Sequence, residues 1–486
     1  MLYPSKEEYL RLAETHDIVP VFKEVLADLE TPVSVLQRFA ECENAFLLES
    51  MEGGETWGRY SFVGIGPELL FEADHRDGAT GELENLRSIY SDLKVAELPG
   101  LPRFFGGVVG FVGYEAIGEF ERMPSPKAGS QRVVPRSRFL KVDKLIIFDN
   151  VRHTLKIVFC TRPKDAVSAA EAYESAEVQI EKVAASLPEQ HATPALTYPD
   201  VSFESNMSRD DYKAMVQKAK QYIVDGDIIQ VVLSQRFSAQ SEIPPLQLYR
   251  ALRLLNPSPY TYFLKLGDQV LVGSSPEIMV RLTGSRVEVR PIAGTRPRGA
   301  TEQEDRALAD ELLSDQKEKA EHVMLVDLGR NDVGRIAESG SVQVTDYMVI
   351  ERYSHVMHIV SNVHGDLDDE HSAYDVLRAT FPAGTVSGAP KIRAMQIINE
   401  IENSKRCTYA GAVGYFSWDG NHDSCITLRT CLLKDGKAYV QAGAGVVADS
   451  NPTYEYEETV NKSMALRRAI GLAKTIGLAK TLTPDS

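Results

Sequence analysis

Alternating and helical spacings of apolar residues change places several times along the chain. Residues 1–40 interleave Lys, Glu and Leu and predict helix. Asn44–Ser50 (NAFLLES) is an extended apolar run closed by two polar residues. Arg59–Val63 and the glycine-rich Phe104–Tyr114 are strand-like, the glycines marking close backbone approach or a bulge. Leu140–Phe148 and Thr154–Cys160 alternate and flank DNVRH, which predicts an antiparallel hairpin, and Asp165–Ala185 is an Ala/Glu-rich helix. Leu187–Asp200 carries three prolines and little periodicity, and marks a lobe boundary.

The second half is sharper. Asp210–Val224 predicts helix and Ile228–Phe237 a strand; Gln269–Gly273 and Ile278–Leu282 are short strands, and Val287–Pro291 pairs back. Asp315–Asp332 is a helix with Asp315 as N-cap, Glu318 as the acid of a capping box, and Ala320, Val323, Met324 and Val326 on its buried side. Gly411–Ser417, Ser424–Thr430 and Ala438–Ala442 alternate, separated by Asp419-Gly420 and Asp435-Gly436, a strong hairpin signal. A two-residue turn at Asp435-Gly436 sets Lys434 opposite Lys437 and Arg429 opposite Ala442. Asn451-Pro452 caps and opens a last helix. Hairpins with interspersed helices predict an α+β fold, large and two-lobed, with antiparallel sheets packed together and flanked by helices; a doubly wound fold is excluded. The lobes divide as 1–200 and 201–470. A tail, 471–486, holds most of two IGLAKT hexads that extend the terminal helix.

Composition narrows the chemistry. With 486 residues the chain is long enough for a two-lobed enzyme, and its net charge of −16 argues against nucleic acid or an anionic membrane as partner. An anionic small substrate then needs a local cationic pocket or a metal. Five cysteines without CxxC spacing predict free thiols in a reducing compartment. The absence of an apolar h-region, and of any apolar run near ~18 residues, predicts a cytoplasmic protein.

Three features could carry a site. Glu321 lies three residues beyond Glu318 with no structural task, and is either solvated or a cation ligand. Glu455, Glu458 and Lys462 share a helix face, where Glu455 also suits the helix dipole. Glu321 and Glu458 could hold one hard cation between two helices, as Mg²⁺ takes one or two protein carboxylates, although spacing alone supports this weakly. Arg429 beside Gly443-Ala444-Gly445 is a carboxylate or phosphate seat, or else a surface arginine at a strand end.

Seven segments occur in order: PIAGTRPRG (Pro291–Gly299), KEKAEHVMLVDLGRNDVGR (Lys317–Arg335), YSHVMHIVS (Tyr353–Ser361), FPAGTVSGAPK (Phe381–Lys391), ITLRT (Ile426–Thr430), AGAGVV (Ala442–Val447) and EYEETVNK (Glu455–Lys462). Together with LLES and RYSFVG in the first half, they resemble the chorismate-utilising enzymes, specifically the anthranilate synthase component I family. The resemblance implies that Glu321 and Glu458 hold Mg²⁺ on the ring carboxylate of chorismate. It implies that Gly294, Thr295, Gly443, Ala444 and Gly445 line the substrate, that Tyr409 and Arg429 clamp its pyruvyl carboxylate, and that Lys462 helps to hold the ring carboxylate. Glu277, in SSPE, matches the acid that protonates the departing ring hydroxyl. His358 and Thr385 match residues at the ring carbons where the enolpyruvyl group is expelled. Tyr409 and Arg429 face one side only if the loop at Asp419-Gly420 has an odd number of residues.

Members that add water carry a lysine base where this chain has Gln230, and aminodeoxychorismate synthases often carry lysine where it has Ala293. The pair argues for direct attack by ammonia. No cysteine lies in the Gly-flanked turn of a glutaminase, so the resemblance implies a separate glutamine amidotransferase subunit, in a heterotetramer, as ammonia source. Ser50, Pro259, Tyr260 and Thr261 resemble the segments that bind feedback tryptophan, with Thr261 in place of the common methionine. The rival readings are a 2-amino-2-deoxyisochorismate synthase that stops before pyruvate elimination, an aminodeoxychorismate synthase component I, and a non-catalytic tryptophan-sensing subunit.

Overall fold

A computed structural model describes residues 2–27, 29–51, 58–73, 83–90, 93–124, 132–187, 201–353 and 356–473. Most of the boundary segment Leu187–Asp200, and the tail beyond Ala473, lie outside these residues.

The described residues form one thirteen-stranded and one ten-stranded sheet, and every paired strand in both is antiparallel to its neighbours. This is the predicted α+β class. The sheets face each other across a shared apolar core, where Phe62 of the larger sheet meets Phe104 (ring centroids 5.3 Å apart) and Phe104 stacks on Tyr415 of the smaller at 4.2 Å. Such aromatic pairs add about 0.5–1.5 kcal/mol each beyond the area they bury. The outer face of the larger sheet is covered by helices Pro245–Leu255, Ala169–Ser186 and Pro452–Ala473. Among the described residues, strands from the first 161 positions extend both sheets instead of forming their own.

Several expected elements stand as predicted, including the strand Asn44–Glu49, the helix Arg209–Val224 and the hairpin Lys144–Asp149/Thr154–Thr161. The Asp435-Gly436 turn has two residues, at φ 51° and 69°, and Lys434 pairs with Lys437. The helix predicted over 1–40 is broken: Val19–Leu26 is a strand between helices Lys6–Ala13 and Pro32–Phe39. Its branched Val19, Val21 and Val25 favour the pleated conformation, and tertiary pairing with Thr154–Thr161 overrides the local Lys/Glu pattern.

Two predicted strands are each two strands that change sheets. Leu140–Phe148 divides at Asp143: Ser137–Val142 belongs to the smaller sheet and Lys144–Asp149 to the larger. Ser424–Thr430 divides likewise into His422–Ile426 (smaller) and Thr430–Lys434 (larger), with Arg429 in the corner at φ 45°. Arg429 therefore does not pair with Ala442, which instead faces Gln235. A third crossing, from Gln269–Ser275 to Ile278–Thr283, contains Glu277. The crossings at Glu277 and Arg429 are laced together: Ile426 N–H donates to the Glu277 carbonyl (3.0 Å) and Ser274 N–H to that of Arg429 (3.2 Å).

Candidate active site at the sheet crossings

Strand Lys437–Val446 pairs along its length with Gln230–Gln240, but its other neighbour, Thr430–Lys434, reaches only to Val440. Past that point one backbone edge of Gln441–Val446 leaves the ladder, and glycines stand at alternate positions. A Cβ on Gly443 would come 2.6 Å from Tyr409 Oη, and one on Gly445 2.7 Å from Gln230 Nε2. Gly443 and Gly445 thus share a face with Tyr409 and Gln230, while the Ala444 methyl is buried on the opposite face.

Two helices bring acids to this strand. Helix Gln316–Gly334 is capped by Asp315, whose carboxylate accepts from the amides of Lys317 and Glu318. The expected capping box is not formed: Glu318 turns towards Arg296 (3.5 Å) under Gly294. The buried stripe is His322, Leu325, Val326, Gly329, Asp332 and Val333; of the predicted set Val326 is buried and Met324 half-buried, while Ala320 and Val323 face solvent. Glu321 accepts from Gln230 Nε2 at 3.1 Å. Helix Pro452–Ala473 is capped by Asn451, which accepts from Thr453 N–H at 2.9 Å. One turn in, Glu458 pairs with Lys462 at 2.7 Å, and Lys462 Nζ also donates to the Gly443 carbonyl at 3.2 Å. Glu321 and Glu458 therefore reach the same glycine strand, one through Gln230 and the other through Lys462.

The surplus of acid shows in the proton affinities. Burial and then Glu321 push the Glu318 carboxyl up; burial and, less strongly, Glu458 do the same to Glu455. Among the described residues no group of three or more His, Cys, Asp or Glu is disposed to hold a metal. An oxygen-only set of one or two carboxylates in an overcrowded acidic patch fits Mg²⁺, which keeps most of its sites for water and anionic substrate. It does not fit a soft or imidazole-bound metal.

Glu277 is buried, and its carboxyl is pushed up to about 7, chiefly by burial, with the Thr385 hydroxyl, Lys462 and Arg429 opposing. Thr385 lies in the turn Gly384–Val386, packed so tightly on the neighbouring helix that a Cβ on Gly384 would come 2.6 Å from Leu328.

His358 Nδ1 lies 2.9 Å from the Gly294 carbonyl oxygen. A carbonyl only accepts, so Nδ1 carries the proton and Nε2 of the neutral ring has a lone pair. Burial lowers the imidazole pKa, the Gly294 contact opposes it, and Arg429 lowers it further. Gly294 sits at a bulge at φ 68°, which turns its carbonyl onto the ring, and Thr295 Oγ1 is 3.1 Å from Nδ1.

The Trp418–Gly420 loop has three residues, with Gly420 at φ 87° and Ser417 N–H bonded to the Asn421 carbonyl. The count is odd, but Tyr409 and Arg429 both lie outside the two strands the loop joins, so it does not by itself set their facing. Beneath Tyr409 lies a residue that sequence reasoning missed. Arg406 is fully enclosed, its guanidinium 5.5 Å from the Tyr409 ring centre and 4.7 Å from that of Tyr114. It donates to Glu402 (2.6 and 3.0 Å) and to the carbonyls of Val386 and Val232 (2.7 and 2.6 Å). The signal was an arginine three places before Tyr409 in a segment otherwise bound for the core.

Ser50, Pro259, Tyr260 and Thr261 line a separate cavity of about 470 Å³. Its wall includes Tyr260, Arg281, Arg103 and Asp423, joined by Tyr260 Oη–Asp423 (2.8 Å), Arg281–Asp423 (2.9 Å) and Arg103–Asp423 (3.2 Å) contacts. Cys425, on the strand that leads to Arg429, also lines it.

Comparison with known proteins agrees with this geometry. The family of chorismate binding enzymes matches residues 43–468. Anthranilate synthase component 1 of Acetivibrio thermocellus is 48% identical, aligned over 96% of this chain and 98% of the relative. That of Pseudomonas putida is 46% identical at the same coverage. The crystal structure of anthranilate synthase component I from Streptococcus pneumoniae TIGR4 superposes with a TM-score of 0.76 at 37% identity, covering 91% of this chain and 99% of that one. The menaquinone-specific isochorismate synthase of Escherichia coli shares the fold, with a TM-score of 0.71 at 19% identity over 96% of this chain and 99% of that one. This chain belongs to the chorismate-binding enzyme family, in its anthranilate synthase component I branch.

Proposed function

We propose that the chain converts chorismate and ammonia to anthranilate and pyruvate, the first committed step of tryptophan biosynthesis, in the cytoplasm. Two observations support this: a buried acid, Glu277, whose carboxyl is pushed up to about 7, and a His358 ring whose Nδ1 faces the Gly294 carbonyl and so leaves Nε2 without a proton. Glu277, with its carboxyl near 7, supplies a proton to the ring hydroxyl, which leaves as water while ammonia forms the new bond at C2. His358 Nε2 then takes the C2 proton as the enolpyruvyl group departs, the Nδ1–Gly294 bond fixing the tautomer. Thr385 orients Glu277.

Arg429, with Tyr409 over Arg406, holds the pyruvyl carboxylate, and Lys462 and the backbone of Gly294, Thr295 and Gly443–Gly445 hold the ring. Glu321 and Glu458 would hold Mg²⁺, which when bound neutralises the ring carboxylate. Gln230, tied to Glu321, places an amide rather than an ammonium beside the ring, so nothing there serves as a base for water. Ammonia comes from glutamine through a separate amidotransferase subunit, in a heterotetramer. Tryptophan occupies the cavity lined by Ser50, Pro259, Tyr260 and Thr261 as feedback inhibitor; at about 470 Å³ the cavity is in the ordinary ligand-pocket range.

The test uses the purified chain with chorismate, MgCl₂ and ammonium. Fluorescent anthranilate and stoichiometric pyruvate are expected, with loss of both on chelation by EDTA. Glu321→Gln and Glu458→Gln should each raise the magnesium requirement at least tenfold. A non-aromatic aminated product, or turnover on glutamine without a partner, would overturn the assignment.

A further inference from the structure

His358 stands on the middle strand of three. Its cross-strand neighbours are Thr295 on one side and Glu351 on the other. Directly paired residues of antiparallel strands project from the same face, so Thr295, His358 and Glu351 form one row on the smaller sheet. The contacts with the Gly294 carbonyl and Thr295 Oγ1 both meet the imidazole at Nδ1. They hold one end of the ring and leave its tilt about that end open. The atom that takes a proton, Nε2, is at the other end.

Tyr353 closes the remaining side. Its ring centre is 5.6 Å from that of His358, with 62° between the planes, an edge arrangement that aromatic pairs favour. Its hydroxyl donates to Glu351 at 2.9 Å, and Glu351 is ion-paired in turn with Arg290. The backbone of Tyr353 is fixed independently of this side chain. Its N–H donates to the Val356 carbonyl at 2.8 Å, and its carbonyl accepts from Arg298 at 2.7 Å, an arginine that Asp305 also holds at 2.7 Å. Neither Tyr353 nor Glu351 belongs to an apolar cluster of the described residues, so core packing does not account for the arrangement.

We infer that Tyr353 is a positioning residue of the elimination step: its ring sets the tilt of the His358 imidazole so that Nε2 meets the C2 proton, and Glu351, clamped by Arg290, holds Tyr353 in place. In that step Nε2 takes the C2 proton, the C–H electron pair enters the ring, and the enolpyruvyl C–O bond breaks with its pair going to oxygen. The released enolpyruvate takes a proton from solvent to become pyruvate, and the imidazolium returns its own to solvent. A base misplaced by about 1 Å can lose about a hundredfold in rate. Amination precedes this step and does not use His358, so a tilted ring slows the second step and spares the first. The inference rests on His358 acting as the base at C2.

Tyr353→Leu removes the ring and leaves the backbone bonds, so its Tm should stay close to that of the wild type. With chorismate, MgCl₂ and saturating ammonium, its anthranilate formation should fall at least tenfold, while chorismate consumption and the KM for chorismate stay within about threefold. The difference should appear as released 2-amino-2-deoxyisochorismate, and chorismate deuterated at C2 should show a larger isotope effect on anthranilate formation than in the wild type. Tyr353→Phe keeps the ring and loses the bond to Glu351; its anthranilate formation should fall about threefold, and adding Glu351→Gln to it should cost nothing further, since Glu351 acts through the hydroxyl. Unchanged anthranilate formation in Tyr353→Leu, or an equal fall in chorismate consumption and anthranilate, overturns the inference; a further loss in the double variant overturns the part given to Glu351. If melting shows that Tyr353→Leu does not fold, Tyr353→Phe decides: a raised ratio of aminated intermediate to anthranilate supports the inference and an unchanged ratio overturns it. Failure of the wild type to make anthranilate counts against the parent function; normal Tyr353 variants in an active background count against the positioning role alone.

Discussion

Glu277 meets two opposed demands. Its carboxyl lies near 7 in the folded chain, against an ordinary 4.5, so between those values the folded state holds a proton that the unfolded state has lost. Stability therefore falls as pH rises from about 4.5 through 7, by about 3 kcal/mol in all at 1.36 kcal/mol per pKa unit. The same proton is the one the reaction spends, so kcat/KM should decline above pH 7 as the acid form is depleted. Glu277→Gln separates the two: turnover drops at least a hundredfold, while the Tm exceeds that of wild type at pH 8 and shows no such gain at pH 4.5. Melting curves at the two pH values check it; equal shifts at both would mean that ionisation is not what costs stability. The sequence located Glu277 and His358 only through the motifs that contain them, and Glu321 also by its place on the helix three residues past Glu318. It could not supply the charge state of Glu277 or the tautomer of His358, because both follow from burial and from one carbonyl, that of Gly294, contributed by another strand.

At the scale of elements, the strand Lys437–Val446 shows how a glycine pattern becomes a surface. Its alternation was legible, and so was the turn at Asp435-Gly436. What alternation does not mark is the sheet to which a strand belongs, so the corners at Asp143 and Arg429 were unreadable, because a period of two continues through a strand that changes sheets, and at Glu277 the break between two strands was legible but not the change of sheet. The two glycines make unequal predictions. At Gly443 a methyl would meet Tyr409 Oη at 2.6 Å and the Leu233 carbonyl at 3.0 Å, and Tyr409 is backed by the immobile Arg406–Glu402 pair. Gly443→Ala should therefore raise the KM for chorismate about tenfold and destabilise the fold by about 1–3 kcal/mol, the range for overpacking a filled site. At Gly445 the methyl meets only the tip of Gln230, which can swing away. Gly445→Ala should leave the Tm nearly unchanged and alter mainly the magnesium dependence, because the Gln230–Glu321 bond is what gives way. Indistinguishable behaviour of the two variants in melting and in magnesium titration would contradict this account of the strand.

On the scale of the whole molecule, the described residues of the first half form no sheet of their own, and their strands widen two sheets founded on the second half. The 470 Å³ cavity lies where this happens, with Ser50 and Arg59 from the first half and Tyr260, Arg281 and Asp423 from the second in its lining. Asp423 and Cys425 line the cavity on strand His422–Ile426, which ends at the corner holding Arg429; Arg281 lies on the partner strand, which begins just after Glu277. Any ligand that shifts these two strands acts on both corners at once, so coupling between cavity and site needs no longer route. Such coupling is reciprocal: if saturating tryptophan weakens chorismate binding by some factor, saturating chorismate must weaken tryptophan binding by the same factor. Glu277→Gln, which binds chorismate without consuming it, allows the comparison by calorimetry. Tryptophan alone at about a hundred times its Kd should stabilise this variant and the wild type alike by about 2.7 kcal/mol, since the cavity does not include Glu277. Unequal factors would mean that the two ligands bind different states from those compared; a loss of tryptophan binding in Glu277→Gln would place the ligand in the active site and leave the cavity between the sheets without an occupant.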